Sequence, residues 1–268
     1  MQTAKQKLKR AAPWLFLLLV LAGLAAVRGL AANYEIGYEI MNGDFQNYNP
    51  VRHLLAGQVP YRDFTVYLGA GELYSVGGLL LVLGNSFGRS MFATNFCTWF
   101  YFELLVLAVC LVVIGTARAA RAAALALCSV FFAYVQGANL PFAGQVNTLL
   151  SYAAANGNSA RMMRSAALTL AVLVILLGLH FWQQDTSRRL LAPAVLVPFA
   201  AGFFVPWSND MGGAAYISIA LGYGLYLIRL YRSSIGKIVV QTLRYIVTSV
   251  VGLGVSVLLI SWGHRNAK

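Results

Sequence analysis

Charge is what this sequence has least of. Only 10% of its 268 residues are Asp, Glu, Lys or Arg, where a soluble domain carries about 25%. A chain with so little polar surface cannot be an ordinary cytosolic enzyme. Acids are scarcest, 8 against 20 Lys and Arg, for a formal charge of +12. That surplus would suit nucleic acid if the basic residues gathered on one face. They sit instead in small groups between long apolar stretches, as in a polytopic membrane protein, so no nucleic-acid partner is expected. Cysteine is also scarce. Cys97, Cys110 and Cys128 all fall in apolar segments, with no metal-ligand spacing and no disulfide framework, and read as packing residues. No repeat of fixed period, soluble domain or long low-complexity linker is visible.

What the chain has is apolar sequence, 59% of it. A spanning helix needs roughly 20 predominantly apolar residues. The first candidate, about Ala11 to Ala32, follows Lys5, Lys7, Lys9 and Arg10. It is long for a signal-peptide core and has no clean cleavage site after it, so it reads as an uncleaved first helix. Further candidates lie near residues 66–84, 91–115, 122–136, 165–182, 190–207, 213–230 and 244–262. The more polar stretch Asn147–Ala160 is a short span or a re-entrant element.

The basic groups at the N-terminus, at Arg188/Arg189, and at Arg229, Arg232, Lys237 and Arg244 belong in the cytoplasm by the positive-inside rule. Alternating eight spans puts the last two groups outside. Two repairs bring them inside: a ninth crossing at Asn147–Ala160, or demotion of residues 66–84 to a half-span. Both place Asn33–Thr65 and the Pro206–Gly212 turn together on the extracytoplasmic side. The expected fold is thus an all-α membrane protein, one integral domain over residues 1–268. It has about eight or nine helices, an N-terminus in the cytoplasm, and residues 33–65 as its first extracytoplasmic loop. The expected location is the bacterial inner (plasma) membrane, with membrane lipid as a partner.

That loop holds half of all the acids: Glu35, Glu39, Asp44 and Asp63. Residues Phe45–Ala56 form a candidate interfacial helix, with Leu54 and Leu55 toward the bilayer and Gly57 ending it. Tyr48, Tyr61, Phe64 and Tyr67 suit the headgroup level. On composition alone these are interface anchors and loop charges without chemistry.

The order of residues points further. Asp44 is followed by the candidate helix, by Gly57-Gln58-Val59-Pro60-Tyr61-Arg62-Asp63-Phe64, and by an apolar segment ending Leu81-Val82-Leu83-Gly84. This resembles the N-terminal region of the GT-C superfamily, integral-membrane glycosyltransferases that use polyprenyl-phosphate sugars. Phe142-Ala143-Gly144-Gln145-Val146-Asn147-Thr148-Leu149-Leu150 is similar to the Gly-Gln-x-Asn-x-Leu-Leu segment of its mannosyltransferase-like branch. The likeness covers roughly residues 38–164. The chain departs from the pattern in two places. A single Asp44 preceded by Asn42-Gly43 replaces the frequent acidic pair, and Gly69-Ala70-Gly71-Glu72 replaces the frequent Gly-Pro-Leu.

The resemblance implies transfer of a sugar, with inversion, from a polyprenyl-phosphate carrier to an unknown acceptor at the extracytoplasmic face. No cofactor is implied, a divalent metal being the open alternative. The reaction needs a carboxylate to take the acceptor proton and donors to stabilise the departing phosphate. Asp44 is the candidate catalytic base. Arg52, His53 and Arg62 are candidate phosphate contacts, the competing reading being that the arginines touch anionic lipid headgroups. Asp63 orders the loop or binds a donor hydroxyl. Gln145 and Asn147 join the substrate-binding set through the second motif.

Acids inside the membrane are costly and mark function by default. Glu72, in a glycine-rich start to its helix, lines the site or pairs with a donor, whereas Glu103 reads as a structural pairing residue. Asn209 and Asp210 are candidate substrate contacts, and Ser208, Asn209 or Asp210 equally reads as a helix N-cap. Gly252-Leu253-Gly254 lacks the context of a dinucleotide fingerprint, and His180 reads as an interface residue. The alternative to an enzyme is a non-catalytic membrane subunit or a transporter on a related bundle.

Overall fold

The computed structural model describes residues 4–33, 45–66, 69–115, 118–135, 195–209 and 211–262. Among them the chain forms eight α-helices and no strand: α1 Ala4–Asn33, α2 Phe45–Leu55, α3 Ala70–Leu83, α4 Phe87–Ile114, α5 Ala119–Val135, α6 Val197–Phe203, α7 Met211–Tyr231 and α8 Ile235–Trp262. A short 3-10 turn, Val205–Trp207, follows α6. The protein is an all-α bundle. Four helices contain apolar stretches long enough to cross a bilayer: Ala12–Leu30, Phe87–Leu111, Met211–Tyr231 and Ile235–Ser261. Large side chains along α1 and α8, such as Phe16, Leu19, Val247 and Leu258, stay exposed, as expected of surface that meets lipid tails.

Contacts along α1 and α4 fix their directions. Leu17 and Leu21 pack with Leu107 and Cys110, Ala25 with Trp99, and Gly29 against Phe92. The helices are therefore antiparallel over their length, and both α1 and α3 end at the same face of the bundle, where the short turn Gly84–Ser86 leads into α4. At 1.5 Å per residue the 14 residues of α3 rise only about 21 Å, short of the roughly 30 Å hydrocarbon core. Helix α3 is thus a half-span by length, ending at the face where α1 ends. The alternative ninth crossing, Asn147–Ala160, lies outside the described residues, as does the candidate span 165–182.

Of the span expected over 190–207, the part from 195 onward is described: helical turns run through α6 and the 3-10 turn to Trp207, and the chain leaves the helix at Ser208. One further span differs from the sequence reading. The last helix begins at Ile235, nine residues before the expected start, and takes in Lys237 and Arg244. Both can extend their long stems along the helix and keep their charges in water.

Small residues let the second half of the chain close. A Cβ on Gly202 of α6 would strike the Ser249 backbone of α8, one on Gly252 of α8 would strike Phe199, and one on Gly212 would strike Val205. Lipid supplies no hydrophobic drive between helices, so such close backbone approach is what holds them.

Candidate functional site

A helix is present over Phe45–Leu55 of the expected interfacial segment Phe45–Ala56, as α2. Its buried residues Asn47, Val51 and Leu54 recur at i, i+4 and i+7, one helical face. Val51 and Leu54 join the core of α3 and α4 made by Leu73, Val76, Leu80, Ala93 and Cys97. The Asn47 amide donates to the Thr94 hydroxyl of α4. Leu54 therefore faces the protein, not the bilayer, because Gly77 leaves room for it on α3. Leu55 is partly buried against the same cluster.

Gly57 ends α2 as expected. Its φ is 81°, its N–H donates to the Leu54 carbonyl and the Gln58 N–H to that of His53, at 2.9 and 3.0 Å. This paired pattern is the Schellman motif, and its left-handed residue favours glycine.

The turn after α2 is tied to itself. Asp63 accepts from the Val59 N–H at 2.7 Å and from Arg62 Nε and Nη2, each at 2.8 Å. The Asp63 contact raises the Arg62 pKa further above its ordinary value. Asp63 therefore orders the loop, one of its two expected roles, and Arg62 keeps Nη1 outside the pair. The His53 ring stacks on Phe64 at 5.2 Å and contacts the Gln58 amide oxygen. Arg52 lies over the Tyr48 ring at 5.7 Å.

The turn at 205–209 meets this loop at the start of α3. A Cβ on Gly69 would fall 2.6 Å from Ser208 Cα, and one on Gly71 2.9 Å from the Trp207 carbonyl oxygen. The Asn209 side-chain oxygen accepts from the Tyr61 hydroxyl at 3.3 Å, and its amide donates to the Val66 carbonyl at 3.1 Å. Tyr61 holds a φ of 62°, uncommon for a bulky residue. Burial raises its phenol pKa, the Asn209 hydrogen bond offsets part of that, and the nearby Glu72 carboxylate raises it again. Ser208 takes the expected capping role, its hydroxyl accepting from the Met211 N–H at 3.3 Å. Trp207 is pinned by Nε1 donating to Ser256 of α8 at 2.9 Å.

Two acids are buried in this half of the bundle. Glu72 is 7% exposed, and one carboxylate oxygen has no hydrogen-bond partner among the described residues. Glu103 is fully buried with neither oxygen bonded among them, so the pairing role expected for it finds no partner there. Among the described residues no three His, Cys, Asp or Glu side chains gather to hold a metal ion.

The structure brings Tyr61 and Asn209 together, with Glu72 near enough to act on the Tyr61 phenol. His53 stacks on Phe64, whose carbonyl accepts from the Tyr61 N–H, and Arg52 and His53 line a cavity with Asn85, which follows the end of α3. Phe45, next in sequence to Asp44, also lies at that end, its ring 5.2 Å from Phe87. Asp44, Gln145, Asn147 and Asp210 lie outside the described residues. Tyr61 as the partner of Asn209 was not legible in the sequence; the available signal was Gly69-x-Gly71, which marks close approach without naming what approaches. No known protein family, curated protein or solved structure matches the chain.

Proposed function

We propose that this protein is a membrane glycosyltransferase that moves a sugar from a polyprenyl-phosphate carrier to an acceptor at the extracytoplasmic face, with Asp44 as general base. The observation that carries the reading is the order of elements after the first span. An aspartate immediately precedes a short helix (α2), which is capped at Gly57 and followed by the self-tied Pro60–Phe64 turn and the half-span α3. The GT-C resemblance rests on this order of elements, with a second span where this chain has the half-span α3.

One observation favours a second reading, a transporter. The short helix α3 meets the turn at Trp207–Ser208 through Gly69 and Gly71, and half-helices that end against such a turn build transporter binding sites.

Reconstituted full-length protein given polyprenyl-phosphate sugars separates the two. General-base assistance is worth about 10²–10⁴-fold, so Asp44→Asn lowers transfer by that order while folding survives. Near-normal transfer by a folded Asp44→Asn protein removes Asp44 from the role. No transfer by the unaltered chain across a range of such sugars refutes the enzyme reading.

A further inference from the structure

Two adjoining cavities lie where α2 crosses α3, and their chemistry is opposite. One, about 380 Å³, is lined by Asn49, Arg52, His53, Gln58 and Asn85 along with Leu55 and Ala56. The other, about 470 Å³, is lined by Leu54, Leu55, Ala56, Gly57, Tyr74, Gly77, Gly78 and Leu81. They share Leu55 and Ala56, so they are two lobes across one ridge. Both fall in the size range of small-molecule sites.

We infer that the two lobes together bind one anionic phospholipid of the surrounding bilayer, its phosphate in the polar lobe beside Arg52 and one acyl chain in the apolar groove. Four observations carry this. First, the described residues that line the polar lobe include a guanidinium and an imidazole and no acid, and Asp63 is taken up by Arg62 and the Val59 N–H. Second, the direction is right for a lipid. Asn85 follows α3 at the face where α1 and α3 end, and the groove runs back along α3 through Leu81, Gly78 and Gly77 to Tyr74, toward the interior.

Third, the groove opens sideways: Leu81 and Val82 are 76% and 85% exposed, giving the chain an apolar path in from the bilayer and the second chain a surface to lie on. Fourth, the groove floor is glycine, and a Cβ at Gly78 would meet nothing within 4 Å, so the space is not needed for packing. The assignment moves Arg52 and His53 from a carrier phosphate to a bilayer phospholipid and does not depend on whether the protein transfers sugars.

The full-length chain is purified in detergent with phosphatidylglycerol and phosphatidylcholine at equal concentration, and the lipid retained per protein is counted by native mass spectrometry. Retention of about one phosphatidylglycerol, with phosphatidylcholine excluded, is the expected result. A basic residue near a lipid surface contributes about 1 kcal/mol, so Arg52→Gln weakens retention roughly fivefold. Gly78→Phe fills the groove and removes retention. Leu81→Trp, at an exposed rim position, reduces retention if Gly78→Phe fails to fold. Equal retention of the two lipids overturns the inference, as does full retention in folded Gly78→Phe. Displacement of phosphatidylglycerol by an equimolar polyprenyl monophosphate overturns it in favour of a carrier site.

Discussion

Gly252→Ala and Gly254→Ala place the same methyl group two residues apart on one helix, and the structure gives them opposite outcomes. Both sit in the interior of α8. Each therefore gains the same helix propensity, about 0.5–1 kcal/mol for glycine to alanine. At Gly254 the new Cβ meets nothing within 4 Å, so that gain is kept. At Gly252 it would collide with the Phe199 carbonyl oxygen and lie 3.0 Å from the Phe199 carbonyl carbon and 3.1 Å from the Phe203 N.

Carbon contacts are comfortable at about 3.5–4.0 Å, and the obstructing atoms are backbone, which cannot rotate away. Helices α6 and α8 must separate by several tenths of an ångström or more. Overpacking of this kind costs typically 1–3 kcal/mol. Because the propensity gain is common to both variants, their difference isolates that cost. At roughly 2–4 °C per kcal/mol for a chain approaching this size, Gly252→Ala melts some 2–12 °C below Gly254→Ala. The assay is thermal unfolding of the purified full-length chain in one detergent, followed by circular dichroism. Equal melting temperatures, or a lower one for Gly254→Ala, would refute the packing of α6 on α8.

Three more outcomes follow from the same contacts. Arg62→Cys and Met211→Cys, at exposed positions on two turns that touch through Tyr61 and Asn209, react alike with an impermeant thiol reagent in intact cells; labelling of one alone refutes that contact. Gly57→Ala costs about 1–2 kcal/mol, the penalty of a left-handed L-residue. Nothing crowds its Cβ, so Gly57→Asn recovers part of the loss, and equal losses in a denaturation series would place the cost elsewhere than in φ. Glu103→Leu holds or raises thermal stability, because it removes a buried carboxyl with no hydrogen bond among the described residues whose charged form costs about 2.5–3.5 kcal/mol at a helix centre; a clear fall in melting temperature would show that Glu103 has a partner.

Composition and spacing were enough for the class of molecule and for local structure that depends only on neighbours in sequence. Scarce charge and long apolar runs dictate a helical membrane protein, because a chain in lipid must satisfy its backbone within each segment. The helix Phe45–Leu55 and its stop at Gly57 were legible for the same reason: an amphipathic run and a left-handed cap are properties of consecutive residues. Which face that helix buries was not. Leu54 looks like a lipid-facing residue until Gly77, 23 positions on, opens a place for it.

The status of residues 66–84 was also beyond the sequence. An apolar stretch the length of residues 66–84 reads as a span or a half-span with equal ease; the 14 residues that become helical in α3 and the antiparallel run of α4 against α1 decide it. The meeting of Tyr61 with Asn209 joins residues 148 apart in sequence, and Glu103 was expected to pair yet has no bonded partner among the described residues. Periodicity and propensity are local quantities. The direction of one helix against another, and what a buried acid faces, are set by long-range packing, so only the tertiary structure could supply them.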